Sequence, residues 1–181
     1  MKNTVISLLL LFVSSYSFAQ EGLLPLDQEK NIYYADSGKP NLAKAEVYKK
    51  VQEWVIKTFG NYENAVAFED SASGKLRVTS YVPLIHAKYG YVRFDLTIEC
   101  QDNQYYAKIT NLDGISAVHS PERLTYKEND QIKSKEVILK AETAKKRRSE
   151  LEADLKLSKA DNEGINTALY NLLAGLKQAL I

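Results

Sequence analysis

The chain has 181 residues, with 24 lysines and arginines against 23 aspartates and glutamates, and a single cysteine. Domains that hold nucleic acid usually carry a clear basic excess, so this balance argues against nucleic acid as a partner. One cysteine excludes a disulfide within the chain, so stability depends on a hydrophobic core, and the length suffices for one ordinary domain.

The amino terminus has the three parts of a secretory signal. Lys2 supplies the positive charge, an apolar stretch runs from Val5 to Val13, and Ser17 and Ala19 are the small residues that precede a cleavage point. The apolar stretch is roughly half of the ~20 residues that span a bilayer. We therefore predict a cleaved signal peptide over residues 1–19 rather than a transmembrane anchor.

The residue after the predicted cleavage point distinguishes a free product from a lipid-anchored one. A lipoprotein needs a cysteine there, but this chain has Gln20, and its cysteine is Cys100. We therefore predict an exported, soluble protein of the periplasm or the extracellular space. It is not expected to be a lipoprotein or to keep a membrane anchor.

The first elements of the mature chain are a strand and a helix. Residues 30–36 are rich in strand formers, and the turn residues 37–40 follow. Asn41 is a suitable cap for a helix over residues 42–59, which Gly60 ends. Apolar residues recur there at helical spacing: Val47, Tyr48, Val51, Trp54, Val55 and Phe59.

Four further strands are predicted, joined in two places by short polar turns at residues 71–74 and 101–104. They cover residues 65–70, 75–84, 91–100 and 105–110. Val92, Phe94, Leu96, Ile98 and Cys100 alternate with polar residues, which is typical of an antiparallel sheet covered on one face only. Residues 113–129 are predicted to be irregular.

The remaining sequence is helical. A charged helix is predicted over residues 132–157, with four consecutive basic residues at 145–148. Asp161 is a suitable cap for a last helix, whose apolar stripe is Ile165, Leu169, Leu172, Leu173, Leu176 and Leu180. The order strand, helix, four strands and helices predicts a two-layer α+β domain with the helices on one sheet face.

Four stretches of the sequence resemble a family of exported bacterial domains of unknown function with a TBP-like fold (DUF4468). They are L-P-L-D at 24–27 with I-Y-Y at 32–34, residues 46–59, F-E-D at 68–70 with G-K-L at 74–76, and residues 94–106. The resemblance covers roughly residues 23–112. It implies a TBP-like β-α-β-β-β-β order, an export signal and no established activity.

The domain division follows from both arguments. We expect the signal peptide at 1–19, the TBP-like α+β domain at 20–113, and a loop with a C-terminal helical extension at 114–181. The TBP name describes a shape, and function does not follow from shape. The neutral charge argues against DNA binding.

The residues that most often carry chemistry form no recognisable catalytic or metal site. His86 and His119 are 33 residues apart in the sequence, and a metal site needs three or four ligands. Cys100 has the inward register of its strand, which favours a buried thiol over a nucleophile. The adjacent acids Glu69 and Asp70 would point to opposite sheet faces. No cofactor is predicted.

One surface is a candidate binding face. If the strand registers hold, the outward positions carry Arg77, Tyr81, Tyr91, Arg93, Tyr106 and Lys108, with Thr79 and Asp95 among them. Tyrosine and arginine are enriched at binding hot spots. The alternatives are that tyrosine simply favours strands, or that the C-terminal helices cover this face.

Three functional hypotheses follow. The sequence favours a non-enzymatic envelope protein that binds a protein, peptide or glycan. The alternative is an enzyme that acts on envelope polymers, with a site that joins distant residues such as His86 or His119 and an acid. In a third hypothesis the leucine stripe of the last helix packs against another chain.

Overall fold

A six-stranded antiparallel sheet carries the fold in the computed structural model, which describes residues 22–85, 88–116 and 120–181. The predicted signal peptide, Gln20, His86 and His119 lie outside the described residues. The elements in chain order are β1 (Tyr34–Gly38), α1 (Lys44–Phe59), α2 (Tyr62–Ala65), β2 (Val66–Asp70), β3 (Lys75–Pro83), β4 (Tyr91–Gln101), β5 (Gln104–Ile115), β6 (Glu122–Arg123), α3 (Lys127–Ala141) and α4 (Lys145–Leu180).

The strand order is β1-β5-β4-β3-β2, with β6 also paired to β5. Every pairing is antiparallel, as the alternating sequence predicts. Strands β2 to β5 form a meander of hairpins. Strand β1 pairs with β5 at the opposite edge of the sheet from β2, and the chain connects these two edges through α1 and α2. The predicted α+β class, with an antiparallel sheet and a C-terminal helical part, is confirmed.

One face of the sheet forms the core. The inward residues of β4, from Val92 to Cys100 at every second position, are fully buried, and α1 packs over them through Val47, Val51 and Val55. Trp54 and Phe59 meet edge to face, with ring centroids 5.6 Å apart. The inward register predicted for β4 is therefore confirmed.

The start of α1 differs from the expectation. Asn41 does not cap it: Asn41 lies in a loop at φ 58°, and the helix begins at Lys44 after Ala43. The N–H of Lys44, in the first turn of the helix, donates to Asp102 Oδ1 at 2.9 Å, so the turn between β4 and β5 supplies the acceptor. The predicted stop at Gly60 is correct, since its N–H bonds to Ile56 O.

The helical boundaries near the C-terminus also differ. The helix break falls at residues 142–144, and α4 runs without interruption through Asp161 and Gly164. Asp161 accepts from the backbone N–H of Lys88 at 2.8 Å instead of capping a helix. The predicted irregular segment is partly ordered, because β5 extends to Ile115 and α3 begins at Lys127.

The leucine stripe of α4 is used within the chain. Leu169, Leu173, Leu176 and Leu180 are at most 3% exposed and belong to the same core as the sheet. Helix α4 contacts α1, β1 and β3, so it packs on the face that α1 also covers. The stripe is therefore not available for packing against another chain, and the third sequence hypothesis is wrong.

Three asparagines of α3 and α4 hold the first described residues; we refer to them as the asparagine clamp. Asn129 accepts from Leu24 N and donates to Leu24 O, both at 2.8 Å. Asn162 donates to Gly22 O and Asn166 to Leu23 O, each at 2.9 Å. The amides bind backbone atoms, so residues 22–24 are fixed between the C-terminal helices.

None of the helices in the described ranges combines the length and the apolar character that a bilayer crossing requires.

Candidate functional site

The sheet face opposite α1 and α4, here called the open face, is the candidate site. Both large helices pack on the other side, and five aromatic side chains on the open face are 38–53% exposed. They are Tyr33, Phe68, Tyr81, Tyr91 and Tyr106. In the described part of the chain, the helices of residues 131–181 do not cover this face, so that alternative is wrong.

The antiparallel registers arrange the open face in rows across the strands, since directly opposite residues share a face. The row of Tyr81, Arg93, Asp113 and Arg123 crosses β3, β4, β5 and β6. The row of Arg77, Thr97, Lys108 and Ala35 crosses β3, β4, β5 and β1, and we call it the cation row. Between them lies the row of Thr79, Asp95 and Thr110.

The six residues of the predicted binding face all lie on the open face, but they divide into groups. Tyr81 is directly opposite Arg93, and Tyr91 adjoins them at the next outward position of β4. Arg77 and Lys108 lie in the cation row, and Tyr106 follows in the row of Glu99. Eight residues of β4 separate the Tyr91 and Glu99 positions, or about 26 Å at the rise of a strand.

A β-bulge in β5 adds an acid to the open face. The register shifts between Arg93 and Asp95, and Asn111, at φ 57°, is the extra residue. Regular alternation would turn Asp113 toward the core, but the bulge turns it outward beside Arg93. Arg93 Nη2 lies 2.7 Å and Arg123 Nε 2.6 Å from the Asp113 carboxylate, which is 9% exposed.

Asp95 is also held firmly. It accepts from Thr79 Oγ1 at 2.7 Å and from Asn111 Nδ2 at 2.9 Å. Partial burial alone would raise the pKa of Asp95, but these hydrogen bonds and the positive charges of Arg77 and Arg93 outweigh it. The net effect is a pKa below the usual value, so Asp95 stays ionised and is a weak general base.

The charges of the open face leave a positive surplus. Its basic side chains are Lys75, Arg77, Arg93, Lys108 and Arg123, and its acidic ones are Asp70, Asp95, Glu99 and Asp113. Five against four is a surplus of one. Lys75 pairs with Glu99 at 3.4 Å. Arg77 and Lys108, both exposed, make no ion pair with any carboxylate in the described part of the chain.

A groove of about 460 Å³ runs along β1 and β5 on the open face. Ala35 and Ser37, both small and exposed, form its floor, while Tyr33 and Tyr106 stand at its two ends. Lys108 lines the groove, and so do two carboxylates that are already paired, Asp36 with Lys177 at 3.0 Å and Glu99 with Lys75 at 3.4 Å. The Tyr106 hydroxyl accepts from Gln104 Nε2. Sequence reasoning missed the groove because nothing in the local pattern of β1 shows that β5 is its neighbour.

Of the other residues considered from the sequence, Cys100 and Glu69 lie away from the open face, and Asp70 lies at its β2 edge, directly opposite Lys75. Cys100 is buried in the core, and burial raises the pKa of its thiol to about 11. Glu69 turns toward the helices, where it accepts from the Tyr62 hydroxyl at 2.6 Å, while Asp70 caps a turn through Ala72 and Ser73.

The basic run at residues 145–148 is exposed at the start of α4. Arg147 pairs with Glu142, and Arg148 pairs with Glu152. No three metal-ligating side chains come together in the ranges that the structure describes. His86 and His119 lie outside those ranges, so the alternative of a histidine-based enzyme site stays a prediction.

Comparison with known proteins confirms the family resemblance. Residues 33–113 match the family model described as a domain of unknown function (DUF4468) with TBP-like fold. A TBP-like protein from Parabacteroides distasonis ATCC 8503 has 19% identity and a TM-score of 0.52, and the alignment covers 84% of this chain and 96% of that one. At this identity the likeness shows the fold alone.

A DUF4468 family protein from Bacteroides ovatus ATCC 8483 is 14% identical, with a TM-score of 0.47. That alignment covers 59% of this chain and 66% of the other. No curated protein matches the chain.

Proposed function

We propose that this protein is an exported, non-enzymatic binding module of the cell envelope. The premise is that residues 33–113 match the DUF4468 family with its TBP-like fold. In this proposal the open face takes the ligand, which is an envelope protein, peptide or glycan. The proposal includes cleavage of the signal peptide before Gln20 and a product that is free of lipid and soluble in the periplasm or outside the cell.

The observation that carries the proposal is that five exposed aromatics lie on one uncovered face, in groups along its strands. Burying an aromatic or large aliphatic side chain is worth about 1.5–3 kcal/mol, so leaving five of them at 38–53% exposure forgoes a substantial gain. Tyrosine is enriched at binding hot spots. Tyrosine supplies contact area at a low cost in conformational entropy, together with a hydroxyl that can donate or accept.

The acids of the open face favour binding over catalysis. Asp95 has a lowered pKa and two hydrogen-bond donors, and Asp113 lies between Arg93 and Arg123. The lowered pKa makes Asp95 a poor proton acceptor near neutral pH, and the two arginines occupy the Asp113 carboxylate. Rings, hydroxyls and cations remain accessible, and these are recognition groups.

Replacement of Tyr81, Tyr91 and Tyr106 by alanine tests the binding proposal. The side chains are 45–53% exposed, so the variant should fold and melt like the wild type. A control triple variant, Ile56, Val137 and Leu157 to alanine, removes apolar side chains that are 50–67% exposed and lie on helices. Immobilised proteins are exposed to envelope extract, and retained proteins and glycans are identified. Equal retention by the tyrosine variant and the wild type would refute a role for this face.

Export is tested separately. The full chain is expressed in a Gram-negative host, the culture is fractionated, and intact mass is measured. We expect a product beginning at Gln20 in the periplasm or medium, and an Ala19→Lys variant should stay unprocessed, because the residue before the cut must be small. A full-length product that remains in the cytoplasm would contradict the proposal.

A further inference from the structure

We propose that the ligand of the open face is an acidic glycan, a polysaccharide with carboxylate groups along its length. This inference rests on the proposed function and names its ligand class. Arg77 and Lys108 of the cation row bind successive carboxylates, and the groove beside them, between Tyr33 and Tyr106, takes the sugar rings.

The first argument is charge. Each acid on the open face is held by a donor or a cation, whereas Arg77 and Lys108 have no ion-pair partner among the described carboxylates. Arginine and lysine at such positions favour carboxylates, with arginine able to bind both oxygens at once. Arg77 acts on Asp95 without forming an ion pair with it, so both side chains are available to an anionic ligand.

The second argument is spacing. Arg77 and Lys108 are both opposite Thr97, on the two strands that flank β4. Neighbouring strands are about 4.8 Å apart, so the two backbones are separated by about 10 Å. Two exposed cations at that distance gain little from a single small anion but can engage a polymer at two points, which raises its apparent affinity.

The third argument distinguishes a glycan from an acidic peptide. Peptides bind sheets chiefly by adding a strand to a free edge. Here β3, β4 and β5 are paired on both sides. At the edges, β1 ends at Gly38, two residues before Pro40, and β2 has a bulge near Phe68. The open face offers side-chain hydroxyls and rings instead, which suits a ligand whose surface alternates C–H and O–H groups.

The experiment uses the mature chain and four polymers of similar length in a titration of affinity, at low and at high salt. They are polygalacturonate, which is a carboxylated glycan, neutral dextran, poly-L-glutamate and single-stranded oligothymidylate. We expect polygalacturonate to bind most tightly, and its affinity to fall as salt rises, because exposed charges are screened.

The double variant Arg77→Gln with Lys108→Gln should weaken polygalacturonate binding about tenfold, the loss expected for two exposed ionic contacts. The matched control, Lys133→Gln with Lys140→Gln, removes two exposed lysines from α3 and should bind like the wild type. Equal thermal melts of the three proteins show that the fold is intact.

Each other outcome overturns the inference. Tighter binding of poly-L-glutamate or of the oligonucleotide would assign the face to a peptide or to nucleic acid. Dextran binding that the tyrosine variant loses and the cation variant keeps would leave the proposed function standing and refute the acidic ligand. No binding of any polymer, with normal capture from envelope extract, would refute the glycan and leave the binding role in place.

Discussion

The asparagine clamp gives the sharpest stability prediction, through Asn129→Ala. The substitution leaves the N–H and C=O of Leu24 without partners, and both Asn129 and Leu24 are 3% exposed. A buried polar group left unpaired costs about 1–3 kcal/mol, so two of them cost about 2–6 kcal/mol. Alanine recovers about 0.5 kcal/mol through its higher helix propensity, which leaves a net loss of about 1.5–5.5 kcal/mol.

Urea unfolding followed by tryptophan fluorescence measures this loss. Trp54 is the single tryptophan and is 6% exposed in the core, so its emission reports on global unfolding. The control is Asn171→Ala, an exposed position of α4 where the same propensity gain applies without a buried hydrogen bond. If the two variants have the same midpoint and slope, the clamp does not stabilise the fold and the argument fails.

Three further predictions concern single positions. Gly74→Ala should destabilise the protein clearly more than Gly60→Ala in the same urea assay. Both residues have positive φ, but a Cβ added at Gly74 would clash with the carbonyl oxygen of Cys100, whereas a Cβ added at Gly60 would have no atom within 4 Å. The Cys100 thiol should react with a thiol reagent at pH 8 only after denaturant is added, because it is buried with a pKa raised to about 11; rapid labelling of the native protein would contradict this. The lowered pKa of Asp95 stabilises the fold above the pKa of this carboxyl in the unfolded chain, and this stability is lost as the pH falls through the pKa in the folded protein. Asp95→Asn should therefore flatten the acid side of the profile of unfolding free energy against pH. An unchanged profile would count against the hydrogen bonds described for Asp95.

The middle of the sheet was predictable because its physics is local. Residues 92–100 alternate apolar and polar, and a strand covered on one face places side chains on alternating sides. Burial of every inward position follows from that pattern alone. The outward residues of the candidate site, such as Arg77 and Tyr81, were therefore found from the sequence.

The groove and the buried ion pairs could not be found in the same way. The groove depends on the pairing of β1 with β5, and about 70 residues separate Ala35 from its partner Lys108 along the chain. Asp113 reaches the open face only because Asn111 adds one residue to the strand. A bulge changes the face of every residue beyond it, and no local hydrophobic pattern reveals where it occurs.

The helix boundaries show how packing overrides propensity. Asp161 and Gly164 are typical of a helix start, yet α4 passes through both, because Leu155, Asn162 and Ile165 are buried one after another along the same helix. A contact with Lys88 uses the Asp161 side chain that would otherwise have capped the helix. Tertiary contacts therefore decide a boundary that local residue preference alone leaves open.

The asparagine clamp also constrains the order of events in folding. Its hydrogen bonds join residues 105, 140 and 143 positions apart. Contacts of such long range are slow to form, because the loop-closure entropy is lost before the contact is gained. In a chain that is synthesised from its amino end, residues 22–24 stay exposed until Asn166 has been made. The first segment to emerge is therefore among the last to reach its native contacts.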